Sequence, residues 1–127
     1  MTISNLLKYT FLIHFIICLI FGISFFLSPE YITTVTAWPF LDPVAGRIIG
    51  AMFLGYGFAS FFGYRATDWS EVKLLVIADI VWCLFGSIAF VWMMAVHATL
   101  PIMIVGLYLA LCVIFFILYM YAYMTHS

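Results

Sequence analysis

The chain is 127 residues long, 69% of them hydrophobic, with four basic and five acidic side chains and a net charge of -1. A soluble domain carries about 25% charged residues, against 7% here. So few charges cannot cover a water-soluble globule, and the apolar surface must face lipid or partner proteins. The mean hydropathy is +1.29, and the absence of a basic field excludes nucleic acid as a partner.

Four apolar runs follow in chain order, Leu6 to Leu27, Val44 to Tyr64, Val72 to Met94 and Leu100 to Tyr123. Each has the roughly 20 residues needed to cross about 30 Å of hydrocarbon as a helix. Backbone groups in lipid must be satisfied within the segment, so each run is predicted to be helical. Lys8, near the start of the first run, resembles a signal-peptide n-region. The run is longer than the usual h-region and no A-x-A site follows, which predicts a retained helix.

The connections are short. The segment PEYITTVTAWPFLDP carries Pro29, Pro39 and Pro43 and reads as a loop, with Trp38 and Phe40 at headgroup level. In RATDWSE, Ser70 followed by Lys73 is not a capping box. Asp68 or Ser70 is the expected N-cap of the third helix, with Glu71 at its positive end. In HATLP, Thr99 is the expected N-cap of the fourth, with Pro101 just inside it.

Lysine and arginine placement predicts both termini on the cytoplasmic side, with Lys8, Arg65 and Lys73, against Arg47 alone on the other. Tyr119, Tyr121 and Tyr123 would form an aromatic belt at the cytoplasmic end. The expected location is the plasma membrane of a prokaryote, and the expected fold is one all-α domain, a four-helix transmembrane bundle.

The second helix is rich in small residues. Ala51, Gly55, Ala59 and Gly63 recur every four residues, with Gly46, Gly50 and Gly57 roughly opposite. Small residues let backbones approach where the hydrophobic effect no longer drives pairing. Two such faces predict two neighbouring helices, and the GxxxG of Gly46 and Gly50 also fits a dimer seam.

Three groups of side chains are costly in this setting. Asp79 lies about nine residues into the third helix, roughly 13 Å along it, too deep to snorkel. His14 lies at similar depth on the first helix, and a His14–Asp79 contact would satisfy both. Tyr9 and Trp82 are other possible donors. A proton or cation site and a register-fixing hydrogen bond both fit this pair. Arg47 can pair with Asp42 or Glu30 as a structural salt bridge, or serve a lipid headgroup. Cys18, Cys83 and Cys112 each sit mid-run without a CxxC pair and read as small buried hydrophobes. Met93, Met94, His97 and Met103 match no tight motif, so no metal or cofactor is assigned.

The segments WPFLDPVAGRIIGAMFLGYG and YRATDWSEVK resemble a group of small four-helix membrane proteins of bacteria and archaea that lacks a settled function. The matching residues are Trp38, Pro39, Pro43, Arg47, Gly50, Ala51, Trp69, Glu71, Val72 and Lys73. The chain is also similar, more loosely, to the DoxX-like four-helix proteins, without a redox signature. The resemblance implies the four-helix architecture, with Arg47 and Trp69 as characteristic positions.

No nucleophile–base pair, phosphate loop or HExxH is present, and the short loops leave no room for a soluble active site. The first functional reading is therefore a non-catalytic accessory or scaffold protein, self-associating or part of a larger membrane complex. The second is a proton-coupled transporter or channel using Asp79 and His14. The third is a lipid- or quinone-handling enzyme near Arg47, Trp38 and Trp69, which would need an elongated apolar cavity open to the bilayer.

Overall fold

The computed structural model describes residues 1–39, 42–97 and 99–126. Five helices follow in order: α1 (Asn5–Leu27), α2 (Pro29–Thr36), α3 (Pro43–Arg65), α4 (Trp69–Val96) and α5 (Ile102–His126). The fold is an all-α bundle, and α1, α3, α4 and α5 are long and apolar enough to cross a membrane. Helix α2 corrects the expectation of a loop. Pro29 stands at its first turn, where the missing N–H costs nothing, and Glu30 lies at its positive end. It closes on Ala37 in the left-handed region, φ 56°, with Trp38 N donating to the Thr33 carbonyl at 3.0 Å. Phe40 lies outside the described residues.

Side chains cap three of the long helices. Ser4 Oγ accepts from Leu7 N at 3.2 Å, and Asp42 Oδ1 accepts from Val44 N and Ala45 N at 3.1 Å. Helix α4 begins with a capping box after all, built from Asp68 and Glu71 instead of Ser70 and Lys73. Asp68 accepts from Ser70 N at 2.9 Å and from its hydroxyl. Glu71 accepts in return from Asp68 N at 3.2 Å. Helix α5 starts at Ile102, one residue beyond Pro101. The Pro101 carbonyl accepts from Ile104 N and Val105 N, so Thr99 lies in the preceding turn and does not cap it.

The long helices associate as two pairs, α1 with α3 and α4 with α5, and the contact between the pairs is much thinner. The α1–α3 pair is set by glycine. A Cβ on Gly50 would lie 2.4 Å from Phe26 N, and one on Gly46 would lie 2.7 Å from the Pro29 ring. Gly57 lies against Cys18 and Gly63 against the Phe11 ring. The expectation of two packed small-residue faces is corrected here. A Cβ on Gly55 would meet nothing within 4 Å, and Ala51 is exposed. The buried stripe is Gly46, Gly50, Gly57 and Ser60, which follows the 3.6-residue period, joined by Gly63 from the other small-residue set.

Both chain ends meet at one end of the bundle. Trp69 N donates to the Met1 carbonyl at 2.8 Å and Ile3 N to the Thr67 carbonyl at 3.2 Å. Ser4 N donates to His126 Nε2 at 3.1 Å, while His126 Nδ1 donates to the Ala122 carbonyl at 2.7 Å. The His126 ring stacks on Trp69 at 4.9 Å.

Asp68 is the charged member of this end. The Met1 ammonium, 2.8 Å away, and then the Ser70 hydroxyl and N–H hold its carboxyl well below the usual carboxylate range. A depressed folded-state value means that its stabilisation is fully present above the unfolded value of about 3.9 and is lost as pH falls below it. Wild-type protein should therefore outlast Asp68→Asn by a constant margin above pH about 5, and the margin should shrink below about 4. Detergent-solubilised melting curves across this range check it. A margin that is flat down to pH about 2 would mean that the carboxylate is not held in this way.

Candidate functional site

One polar side chain from each long helix reaches a common point in the bundle. His14 comes from α1, Ser60 from α3, Asp79 from α4 and Tyr119 from α5. All four are buried, Ser60, Asp79 and Tyr119 fully so. Each sits on the apolar stripe its helix turns inward. On α4 this stripe is Val72, Val76, Asp79 and Cys83, and on α5 it is Phe115, Tyr119, Ala122 and His126.

The His14 ring organises the group. Its Nδ1 lies 2.8 Å from the Tyr119 hydroxyl and 3.1 Å from Ser60 Oγ. The ring packs on Phe115 at 4.7 Å and meets the edge of Tyr119 at 5.6 Å. These contacts fix the orientation of the imidazole. Asp79 Oδ2 stands 4.0 Å from the same Nδ1. That is close enough for a charge pair and too long for a hydrogen bond. The carboxyl also feels the Tyr119 side chain, yet neither of its oxygens has a hydrogen-bond partner of normal geometry. Around this point lie the Cys18 and Cys83 thiols, both free and buried.

His14 and Asp79 are thus brought together. The other donors considered for Asp79 make no hydrogen bond to it. Tyr9 is 59% exposed, and Trp82 is engaged in stacking on Tyr56 at 5.7 Å. Tyr119 does not belong to an aromatic belt. Residues two apart on a helix point to nearly opposite sides, so Tyr121 is exposed while Tyr119 is fully buried. Tyr123 packs on Trp69. Ser60 and Tyr119 were missed by reading polar residues one at a time. Their signals were the glycine stripe that Ser60 continues, and the spacing of Phe115, Tyr119 and Ala122.

The second group lies at the opposite end of α3. Arg47 pairs with Glu30 of α2 at 3.5 Å, and both side chains are about half exposed. Asp42 is occupied in capping α3. Exposed pairs of this kind contribute about 0–1 kcal/mol. Arg47 is some 18 residues, about 27 Å along α3, from the end where Trp69 sits. A single site combining Arg47, Trp38 and Trp69 is therefore not formed. An apolar groove does run between α4 and α5, with Val91, Trp92 and Val113 in its wall, but Arg47, Trp38 and Trp69 do not line it.

Fold and site together define an all-α bundle with four helices of membrane-spanning length and one buried acid at their junction. Comparison with protein-family models, curated proteins and solved structures gave no match to this chain.

Proposed function

We propose that the protein is a small multi-pass membrane protein whose centre is a proton-exchange site, Asp79 acting with His14, used for proton-linked movement of a small solute. One observation carries this reading. Four helices converge on Asp79, yet beyond the nearby Tyr119 side chain and the 4.0 Å approach of His14 Nδ1 its carboxyl oxygens make no hydrogen bond of normal geometry. A network kept only for structure lowers its cost by completing its bonds. Here the costly member is the one left incomplete, while His14, Ser60 and Tyr119 bond to one another. A carboxyl at such depth costs about 2.5–3.5 kcal/mol on insertion scales, which favours a group retained for exchange.

The thin seam between the helix pairs supports the same reading. His14 and Ser60 belong to one pair, Asp79 and Tyr119 to the other. A proton gained or lost between them acts on a thinly packed plane of the bundle. The end bearing Lys8, Arg65 and Lys73 faces the cytoplasm in this proposal, and the membrane is the prokaryotic plasma membrane. Likeness to the DoxX-like proteins remains part of the proposal for architecture alone. Four helices enclose little space, so a complete pathway is formed by self-association.

The scaffold reading is favoured by a different fact, the short connections and the closed packing around Asp79. Infrared difference spectroscopy in nanodiscs separates the two. The expected result is a carboxyl band, absent in Asp79→Asn, that disappears as pH rises between about 5 and 8 and shifts in His14→Ala. A protein in which no such band titrates, while Asp79→Asn folds and assembles normally, is a scaffold.

A further inference from the structure

The chain crosses between the two helix pairs once. Helices α1, α2 and α3 follow one another on one side of the seam, α4 and α5 on the other, and residues 66–68 join them. This connection lies at the end where the chain termini meet. Ala66 and Asp68 are extended there, with φ -66° and -118°. Hinges lie at such positions between elements, which absorb a rotation without breaking the hydrogen bonds of either helix.

The seam is fastened at this end. Residues 1–4 form a strap across it: Trp69 N donates to the Met1 carbonyl, Ile3 N to the Thr67 carbonyl and Ser4 N to His126 Nε2. Ile3 and Trp69 are buried, so releasing the strap would strand their N–H groups. Beneath it, Leu7 and Phe11 of α1, Val72 and Val76 of α4 and Ala122 of α5 belong to one buried cluster. The other end differs. Helix α4 turns its last buried side chain inward at Cys83 and runs on to Val96, roughly 20 Å further. From the level of Cys83 outward the pairs meet through rings: Tyr56 stacked on Trp82 at 5.7 Å, Phe53 edge-on to Trp82 at 6.4 Å and Phe21 against Tyr108 at 5.4 Å. Ring faces part without stranding a backbone group. Trp82 is one turn beyond Asp79 on α4, and Tyr56 is one turn from Ser60 on α3, both toward the α2 end. Their stacked rings therefore stand in the seam on the α2 side of the polar centre.

Building on the proton-site reading above, we propose that α4 and α5 swing as a unit against α1, α2 and α3 about a hinge at residues 66–68 held by the strap, and that parting Trp82 from Tyr56 admits water to Asp79 from the α2 end. The strap is the pivot of this motion, and the rings are its gate. A small rotation is enough. Trp82 lies about 20 Å along α4 from the hinge, so a swing of about 10° moves it by about 3–4 Å. That exceeds the diameter of a water molecule, about 2.8 Å. The same swing leaves the strap and the cluster beneath it nearly in place, because they lie close to the axis. In the orientation proposed above, the side from which Asp79 is reached is the one opposite the cytoplasm.

The test is fluorine NMR of the full chain in nanodiscs, with 5-fluorotryptophan at its four tryptophans and lines assigned by Trp→Phe. Trp82 reports on the gate and Trp69 on the pivot. Trp82 is expected to give two lines, or one with relaxation dispersion on the μs–ms scale of hinge motion, and a shift between H2O and D2O that marks contact with water. Trp69 should give one sharp line. Ile3→Pro removes the donor to Thr67 and should broaden the Trp69 line. His126→Phe keeps a ring on Trp69, removes the acceptor of Ser4 N and should do the same if the proline variant does not fold. A Trp69 line unchanged in both variants would mean that the strap does not hold the pivot. Exchange at Trp69 with a single static Trp82 line would place the opening at the chain ends and overturn the inference. Exchange at Trp82 without any solvent shift overturns it as well. If neither line exchanges while the Asp79 carboxyl band titrates, the hinge falls and the proton site stands. If Trp82 exchanges and takes up water while the band does not titrate, the hinge stands and the proton site falls.

Discussion

Gly50→Ala should separate α1 from α3 and cost about 3 kcal/mol, the upper part of the range for overpacking. The added methyl would lie 2.4 Å from Phe26 N, 2.8 Å from Phe26 Cα and 2.9 Å from the Gly22 carbonyl oxygen. All three are main-chain atoms of α1, so no rotamer change makes room. The helices must part, and the stripe parts with them: Gly46 from Pro29, Gly57 from Cys18, and Ser60 from His14. In lipid this loss is not offset by hydrophobic burial, because the helices associate through close packing itself. Gly55→Ala is the matched control. Nothing lies within 4 Å of its added methyl, and alanine is the better helix former by about 1 kcal/mol. It should be neutral or mildly stabilising. Unfolding of both variants in mixed detergent micelles measures the difference, and equal losses would show that α1 and α3 do not meet at Gly50.

Asp79→Val should raise stability by about 1–3 kcal/mol, in the range found when a buried ionic group is replaced by an apolar one. The His14–Tyr119 and Ser60–His14 hydrogen bonds at 2.8 and 3.1 Å do not involve Asp79 and survive its removal. What disappears is a carboxyl whose two oxygens have no partner. The same variant should lose the titrating infrared band and the proton-linked activity in proteoliposomes. Stability gained as function is lost is the pattern of a residue retained at a cost for its chemistry. A loss of 2 kcal/mol or more in Asp79→Val, on the scale of a broken buried pair, would mean that the acid holds the helices together. The proposed function would then lose its support.

The pairing of His14 with Asp79 was legible because depth along a spanning helix can be counted from its polar ends. Counting residues at 1.5 Å each places both at one level before any contact is known. Ser60 and Tyr119 were not legible in the same way. Serine in a glycine-rich helix and tyrosine in an aromatic-rich one carry no cost that marks them, unlike a carboxylate. Which face each helix turns inward depends on its neighbours, and α5 is apolar on every side. Tyr121 and Tyr119 differ only in which of them its partner helices happen to cover.

The short helix α2 shows another limit. Three prolines in one connection argue for a break, yet Pro29 begins a helix as readily as it ends one. The Asp68–Glu71 box was legible and lay two residues before the pair first weighed for it, Ser70 and Lys73. The two small-residue faces of α3 were equal in sequence. Close approach of α1 and α2 at Gly46, Gly50 and Gly57 buried one of them, Gly63 of the other set packed on Phe11, and Gly55 was left open.

The amino-acid order alone was enough to specify four helices long and apolar enough to cross a membrane, their class and the one acid deep within them. Each follows from local cost: hydrocarbon requires closed backbone bonds and penalises charge wherever the segment lies. The pairing of α1 with α3 and of α4 with α5, the closure of His14 with Ser60 and Tyr119, and the carboxyl left without a partner were decided only in three dimensions. These depend on how closely backbones approach and on the rotation of each helix about its axis. Helices that are apolar all round do not encode that rotation; their neighbours impose it.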